Sequence, residues 1–218
     1  MKHIGVIDSL CLSAPVMSYY LNDEGYSIED IKSIGAFKTK VWIETFGKPL
    51  AQHIIYAGIV HTHLGIRLPL KKYANSKMET LDIAGIHRYD ERSKHLQMHL
   101  QELIPLMQDC IVKQVDVAID IDSMPRRTFN LLMKKRKKYP HKNSIYFKTK
   151  SEKKTNRYIN VIFYDKQLKD VNSPHKYRLE FSFRGNAAGT KLSDLDLAKL
   201  EKSIKRLSGL DVNIAPIS

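Results

Sequence analysis

Hydrophobic residues alternate with polar ones along much of the chain, which is the pattern of half-buried β-strands. The alternation is strict in residues 111–122 (IVKQVDVAIDID) and clear in residues 176–184 (KYRLEFSFR). Shorter β-rich or alternating stretches predict further strands at residues 4–12, 37–46, 53–68, 79–86, 143–149 and 158–165.

Three stretches change to a helical period. Residues 92–104 carry leucines on one helical face, and a second helix is predicted from Pro125 to about residue 138. The third helix begins with a predicted capping box, Ser193 with Asp196, and ends at Gly209. Many antiparallel strands with three helices predict an α+β two-layer sandwich, an antiparallel sheet with helices packed mainly on one face. No linker interrupts the pattern, so one domain is expected over residues 1–218.

The charge of the chain narrows the class of partner. Its 36 Lys and Arg against 23 Asp and Glu give a formal net charge of +13, which favours polyanionic partners. No apolar run reaches the roughly 18 residues of a membrane span, and Asp8 interrupts the first apolar stretch of the chain. We therefore expect a cytoplasmic protein with no membrane partner.

The positive charge is concentrated between residues 126 and 157, where aromatic residues are interleaved with it. Basic side chains among aromatic rings are typical of single-stranded nucleic-acid binding, whereas helix-dipole complementation would explain only one or two lysines. Together with Arg178, the predicted DNA contacts are Arg126, Arg127, Lys134, Lys135, Arg136, Lys137, Lys138, Lys148, Lys150, Lys153, Lys154 and Arg157.

Acidic residues gather on one face of the strand at residues 111–122. Alternation places Asp116, Asp120 and Asp122 together, and carboxylates on one strand face suit a hard cation such as Mg²⁺ or Mn²⁺. Ion pairing with nearby lysines is the alternative, and this strand alone does not decide between them. If the strand at residues 176–184 is its neighbour, Asp116 and Glu180 can hold one metal between them.

A tyrosine at a strand end supplies a candidate nucleophile. Tyr164 precedes Asp165 and Lys166, and a tyrosine hydroxyl can attack a DNA phosphate when a cation polarises it. Lys166 would stabilise phosphate charge. The alternative is that Tyr164 is one of 11 tyrosines, partly buried at a sheet edge.

These pieces together resemble the rolling-circle replication initiators, especially the gene II protein of filamentous phages and the trans-acting plasmid Rep nickases. The resemblance rests on IDSLCLSAP, VKQVDVAIDI, YINVIFYDKQLK and YRLEFSF, in that order, and has most force over residues 110–185. It implies that Tyr164 with Lys166 nicks one DNA strand and stays linked to the 5′ phosphate. Asp116 and Glu180, with Asp120, would hold the metal.

The resemblance leaves several points open. Tyr146 and Tyr158 are alternative nucleophiles, and His61 and His63 form a His-x-His pair that is a second metal candidate or simply two surface histidines. Expected partners are DNA, as a single-stranded or cruciform origin, with a host helicase and a second copy of the chain as further candidates. Two other functions remain: a non-catalytic nucleic-acid-binding protein, such as a repressor or copy-control factor, and a metal nuclease or primase that does not use tyrosine.

Overall fold

The structure is a computed structural model of the 218-residue chain. It describes residues 2–15, 21, 25–29, 54–56, 58–61, 67–68, 70–73, 77–84, 86, 103–149, 159–185 and 189–216. Among these residues, no helix is both long enough and apolar enough to cross a membrane.

One large sheet dominates the fold. Its strands are β1 (His3–Ala14), β3 (Ile54–Tyr56), β6 (Leu70–Tyr73), β7 (Glu79–Ala84), β8 (Ile111–Ile121), β9 (Arg136–His141), β10 (Ser144–Thr149), β11 (Ile159–Asp165), β12 (Tyr177–Arg184) and β13 (Val212–Ile214). They are ordered β3-β6-β7-β1-β8-β12-β11-β10-β9, and every neighbouring pair along this order is antiparallel. Strand β13 pairs with the start of β1 in parallel. A separate three-stranded sheet contains β2 (Tyr26–Glu29), β4 (Gly58–His61) and β5 (Arg67–Leu68).

Two helices cover one face of the large sheet. Helix α1 (Arg126–Lys135) and helix α2 (Leu197–Ser208) contact each other, and Phe129 of α1 packs edge-on against Phe147 of β10 at 6.1 Å between ring centroids. The apolar residues of β8 and β12 fill the space beneath, with Val117, Ile119 and Phe181 fully buried. The predicted α+β class, an antiparallel sheet with helices mainly on one face, is confirmed.

The predicted elements agree with the structure where residues are described. The strands predicted at residues 4–12, 79–86, 111–122, 143–149, 158–165 and 176–184 correspond to β1, β7, β8, β10, β11 and β12. The region 53–68 contains the shorter strands β3, β4 and β5. The strand predicted at 37–46 and most of the helix at 92–104 lie outside the described residues, although residues 103–106 are helical. The prediction of one domain stays a prediction.

Two helix boundaries differ from the prediction. Helix α1 ends at Lys135 rather than near residue 138, because Arg136 turns extended and begins β9, which pairs with β10. The cap of α2 is Asp196, whose side chain accepts a hydrogen bond from the Lys199 backbone amide, so the predicted capping box with Ser193 is wrong. Gly209 does end α2, in the left-handed region at φ 75°.

Candidate active site

The sheet face opposite the helices carries the predicted catalytic residues. Strand β12 lies between β8 and β11, with Arg178 opposite both Asp120 on β8 and Tyr164 on β11. Directly opposite residues point to the same side of a sheet, so these side chains form one row. Glu180, two residues along β12 from Arg178, projects from the same face. The structure thus confirms the neighbouring strands on which the metal hypothesis depended.

Tyr164 is held close to a carboxylate. Its hydroxyl donates to Glu180 Oε2 at 3.4 Å, a long hydrogen bond, and only 8% of the residue is exposed. The ammonium of Lys169 lies 3.8 Å from the centroid of the Tyr164 ring. Burial, and then the charge of Glu180, raise the pKa of Tyr164 well above its ordinary value. The hydroxyl therefore needs a base or a cation before it can attack.

Asp116 and Glu180 are diagonal neighbours on this face, because Ser182 lies opposite Asp116 and Glu180 lies opposite Ala118. Burial, together with the charges of Asp116 and Asp8, raises the pKa of Glu180 to about 7. Burial also raises the pKa of Asp116, against opposing effects of Ser182 and Gln114. Within the described residues neither carboxylate forms an ion pair, so both are poorly compensated.

A second group of charges is fully paired. Arg178 Nε donates to Asp120 Oδ1 at 2.7 Å, Arg178 Nη1 donates to Asp8 Oδ1 at 2.9 Å, and Lys166 Nζ donates to Asp120 Oδ2 at 2.7 Å. Burial alone would raise the pKa of Asp120, but the hydrogen bonds from Arg178 and Lys166 hold it below its ordinary value. Both oxygens of Asp120 are therefore occupied by cations of the protein itself.

Residues with predicted roles take part in these pairs. Asp120 was expected to be a metal ligand, but Arg178 and Lys166 take both of its oxygens. Arg178 was expected to contact DNA, but it is 3% exposed and bound by two carboxylates beneath the site. Lys166 is 4% exposed, so its ammonium group is buried among the side chains of this face and is not presented to solvent.

The chemistry of the donors suits a hard cation held by few protein ligands. Mg²⁺ is commonly bound by one or two carboxylates together with water and substrate phosphates. Asp116 and Glu180 provide two such carboxylates, whose pKa values are raised mainly by burial, and a cation between them would favour their ionised forms. Among the described residues, no group of three or more His, Cys, Asp or Glu side chains is arranged to hold a metal.

The other predicted candidates are not brought to this site. Tyr146 lies on β10, two strands away from Glu180, and Tyr158 lies outside the described residues. His61 belongs to β4 in the three-stranded sheet, although the structure describes only its backbone, and His63 lies outside the described residues. Asp122, third on the acidic face, is exposed and pairs with His175 at 3.1 Å.

Apart from Arg178, the predicted DNA-contacting residues that the structure describes lie at the far end of the sheet from β1. The exposed ones on α1, β9 and β10 are Arg126, Arg127, Lys134, Lys135, Lys137, Lys138 and Lys148, whereas Arg136 is half-buried. Lys150, Lys153, Lys154 and Arg157 lie outside the described residues.

No protein-family model matches this chain, and no curated protein sequence matches it. Among solved structures, the chain is similar to the rolling circle replication initiator protein from Geobacillus stearothermophilus, with a TM-score of 0.41 and 13% sequence identity. That alignment covers 93% of this chain and 78% of the other.

Three residues of the site were missed in the sequence. Asp8 reaches Arg178 because the pairing of β1 with β8 shifts register between Ile7 and Ser9, which places an extra residue there. Gln114 Nε2 donates to both oxygens of Asp116, at 2.9 and 3.0 Å. Lys169 covers the Tyr164 ring. The only signal in the sequence was an acidic residue, Asp8, inside an otherwise apolar strand.

Proposed function

We propose that this chain nicks and rejoins one DNA strand, with Tyr164 as the nucleophile. This is the activity of the rolling-circle initiators that its motifs resemble. The observation that supports it best is the contact of the Tyr164 hydroxyl with Glu180 Oε2, on a face where Asp116 is also poorly compensated. A buried tyrosine hydroxyl needs a hydrogen-bond acceptor, and here the acceptor is a carboxylate, which can also take up a proton.

Glu180 fits the role of the base. With a pKa of about 7 it is partly ionised near neutral pH and can accept the tyrosine proton at the moment of attack. The Tyr164 oxygen then bonds to phosphorus, the bond from phosphorus to the 3′ oxygen breaks, and that oxygen takes a proton from water. The product is a 5′-phosphotyrosine ester and a free 3′-hydroxyl, and rejoining is the reverse reaction.

The neighbouring groups set the electrostatics of the step. Asp116 and Glu180 would hold Mg²⁺ or Mn²⁺, which when bound would polarise the phosphate. Arg178, which lies opposite Tyr164 in the sheet, and Lys166 are each fixed by an ion pair with Asp120. The exposed basic residues of α1, β9 and β10 would bind backbone phosphates, which makes affinity fall as salt rises.

The test is formation of a covalent adduct. The full chain is incubated with Mn²⁺ and labelled single-stranded oligonucleotides from its own replicon, then resolved on a denaturing gel. We expect label to migrate with the protein, and we expect Tyr164→Phe to abolish that labelled species. Tyr146→Phe is the matched control, because Tyr146 lies on β10, two strands away from Glu180, and this variant should retain the labelled species. An adduct that persists in Tyr164→Phe would show that the nucleophile is wrong.

A second candidate function is nucleic-acid binding without catalysis. It is favoured by the ion pairs among Asp8, Asp120, Lys166 and Arg178, which are complete without a metal or a substrate. The same gel separates the possibilities. Salt-sensitive binding with neither an adduct nor cleavage supports this second function, and metal-dependent cleavage that survives Tyr164→Phe supports a nuclease or primase that does not use tyrosine.

A further inference from the structure

The β9–β10 hairpin carries two tyrosines in line with the candidate active site. Tyr139 lies opposite Tyr146, Tyr146 lies opposite Ile162 on β11, and Ile162 lies opposite Glu180 on β12. Opposite residues share a face, so Tyr139, Tyr146 and Glu180 belong to one row across four strands.

The neighbour of Tyr146 confirms which face this is. Phe147 points the other way, is fully buried, and packs against Phe129 of helix α1. The two tyrosines therefore project from the face that the described helices do not cover. Tyr139 is 45% exposed, a large fraction for an aromatic side chain on a strand.

A cation accompanies both rings. The ammonium of Lys148, next but one to Tyr146 on the same strand face, lies 5.4 Å from the Tyr139 ring centroid and 6.0 Å from that of Tyr146. Its register partner on β9 is Lys137, which is also exposed. Tyr139 is exposed and Tyr146 is half-buried. Accessible rings with cations beside them are the combination that binds single-stranded nucleic acid, because bases stack on rings while lysines neutralise phosphates.

The distance between Tyr146 and Glu180 relates the tyrosine pair to the candidate active site. Strands lie about 4.8 Å apart, so Tyr146 on β10 is about 10 Å from Glu180 on β12. That distance corresponds to about three nucleotides at the ~3.4 Å rise of a stacked strand. A strand whose base rests on Tyr146 can therefore present a nearby phosphate to Tyr164.

We propose that Tyr139 and Tyr146, with Lys148, form a stacking platform for unpaired DNA bases that flank the phosphate attacked by Tyr164. The position of that phosphate rests on the proposed function, but binding of bases to the platform does not. The ligand class is single-stranded DNA, since the bases of a duplex are stacked on each other and cannot lie flat on a sheet face.

The experiment measures binding apart from nicking. Fluorescence anisotropy of a labelled oligothymidylate is followed with full-length protein that carries Tyr164→Phe, so that no covalent product forms. In this background Tyr139→Leu and Tyr146→Leu are each compared with Tyr139→Phe and Tyr146→Phe, which keep the ring. Lys202→Gln, on the exposed surface of helix α2, is the matched control for Lys148→Gln.

We expect each leucine variant to weaken binding by about 5- to 150-fold, as loss of one base stack does, and each phenylalanine variant to bind within about 2-fold of its parent. Lys148→Gln should weaken binding more than Lys202→Gln. Circular dichroism checks that the leucine variants fold. Leucine variants that fold and bind normally would overturn the proposal, and so would a parent that binds duplex as tightly as single strands. If the platform binds but Tyr164→Phe still forms an adduct, only the proposed function fails.

Discussion

Replacing Glu180 by Gln is expected to stabilise the protein at high pH while removing the proposed nicking activity. The carboxylate is mostly buried beside Asp116 and Asp8, and burial with these charges raises its pKa from the ordinary 4.5 to about 7. Glutamine has nearly the same shape but no charge, so the variant removes the unfavourable ionisation and leaves the packing intact. A site residue kept for function at a cost in stability is a familiar trade-off.

The difference between the folded and unfolded pKa values of Glu180 gives the size of the expected change in the free energy of unfolding. The folded state holds the proton of Glu180 more tightly than the unfolded chain does. The contribution of protonated Glu180 to the free energy of unfolding is therefore fully present below pH 4.5. It is lost as the pH rises through about 7. At about 1.4 kcal/mol for each pH unit, the interval corresponds to roughly 3 kcal/mol. Glu180→Gln should therefore match the parent at pH 4.5 and exceed its free energy of unfolding by up to about 3 kcal/mol at pH 8.

Urea unfolding of both proteins from pH 4.5 to pH 8 tests this, because the difference between them cancels groups that titrate equally in each. Asp194→Asn, on the exposed 3-10 turn Leu192–Asp194, is the control and should show no such trend. Added Mn²⁺ should stabilise the parent at pH 8 but not Glu180→Gln, because binding to the folded state alone raises stability. A constant difference between the parent and Glu180→Gln at every pH would refute the reasoning.

Three further results are expected. Arg178→Met should lower the free energy of unfolding by about 3–5 kcal/mol in urea titrations, because it leaves the buried Asp8 without its ion-pair partner and leaves Asp120 with Lys166 alone. Asp196→Ala should lower the stability of the protein by about 1 kcal/mol in thermal unfolding, whereas Ser193→Ala, which makes no cap hydrogen bond, should change little. The initial rate of adduct formation should rise with pH and then level off, because only the ionised form of Glu180 can accept the tyrosine proton or hold a cation, and a rate that falls as the pH rises would contradict both roles.

Two of the strands that carry the site could be predicted with their faces because their alternation is strong. In β8 and β12 apolar residues alternate with polar ones, so the face on which Asp116 and Glu180 project follows from the period of two. Sequence could not supply the register between strands. It is the pairing of Arg178 with Asp120, rather than the composition of either strand, that converts a predicted metal ligand into one half of an ion pair.

Strand β9 shows the opposite situation. Its residues, Arg136–His141, have no hydrophobic period, and lysine and arginine are good helix formers, so the local pattern favours a longer helix. Pairing with β10 overrides that preference. Pro140 is tolerated because β9 is the last strand of the sheet, where a missing amide donor breaks no ladder. The loss of a predicted helical turn is what brings Tyr139 beside Tyr146.

The two groups of charges on the sheet face opposite the helices differ in how far their charges are compensated. Asp8, Asp120, Lys166 and Arg178 neutralise one another through ion pairs that run from Lys166 to Asp120, from Asp120 to Arg178 and from Arg178 to Asp8. Glu180 and its diagonal neighbour have no such compensation, so the folded chain alone holds them at a cost in free energy. A cation is the group that would remove that cost. Metal binding would therefore stabilise the folded state, and it would be coupled to ionisation of Glu180, the form in which we propose that Glu180 accepts the proton of Tyr164.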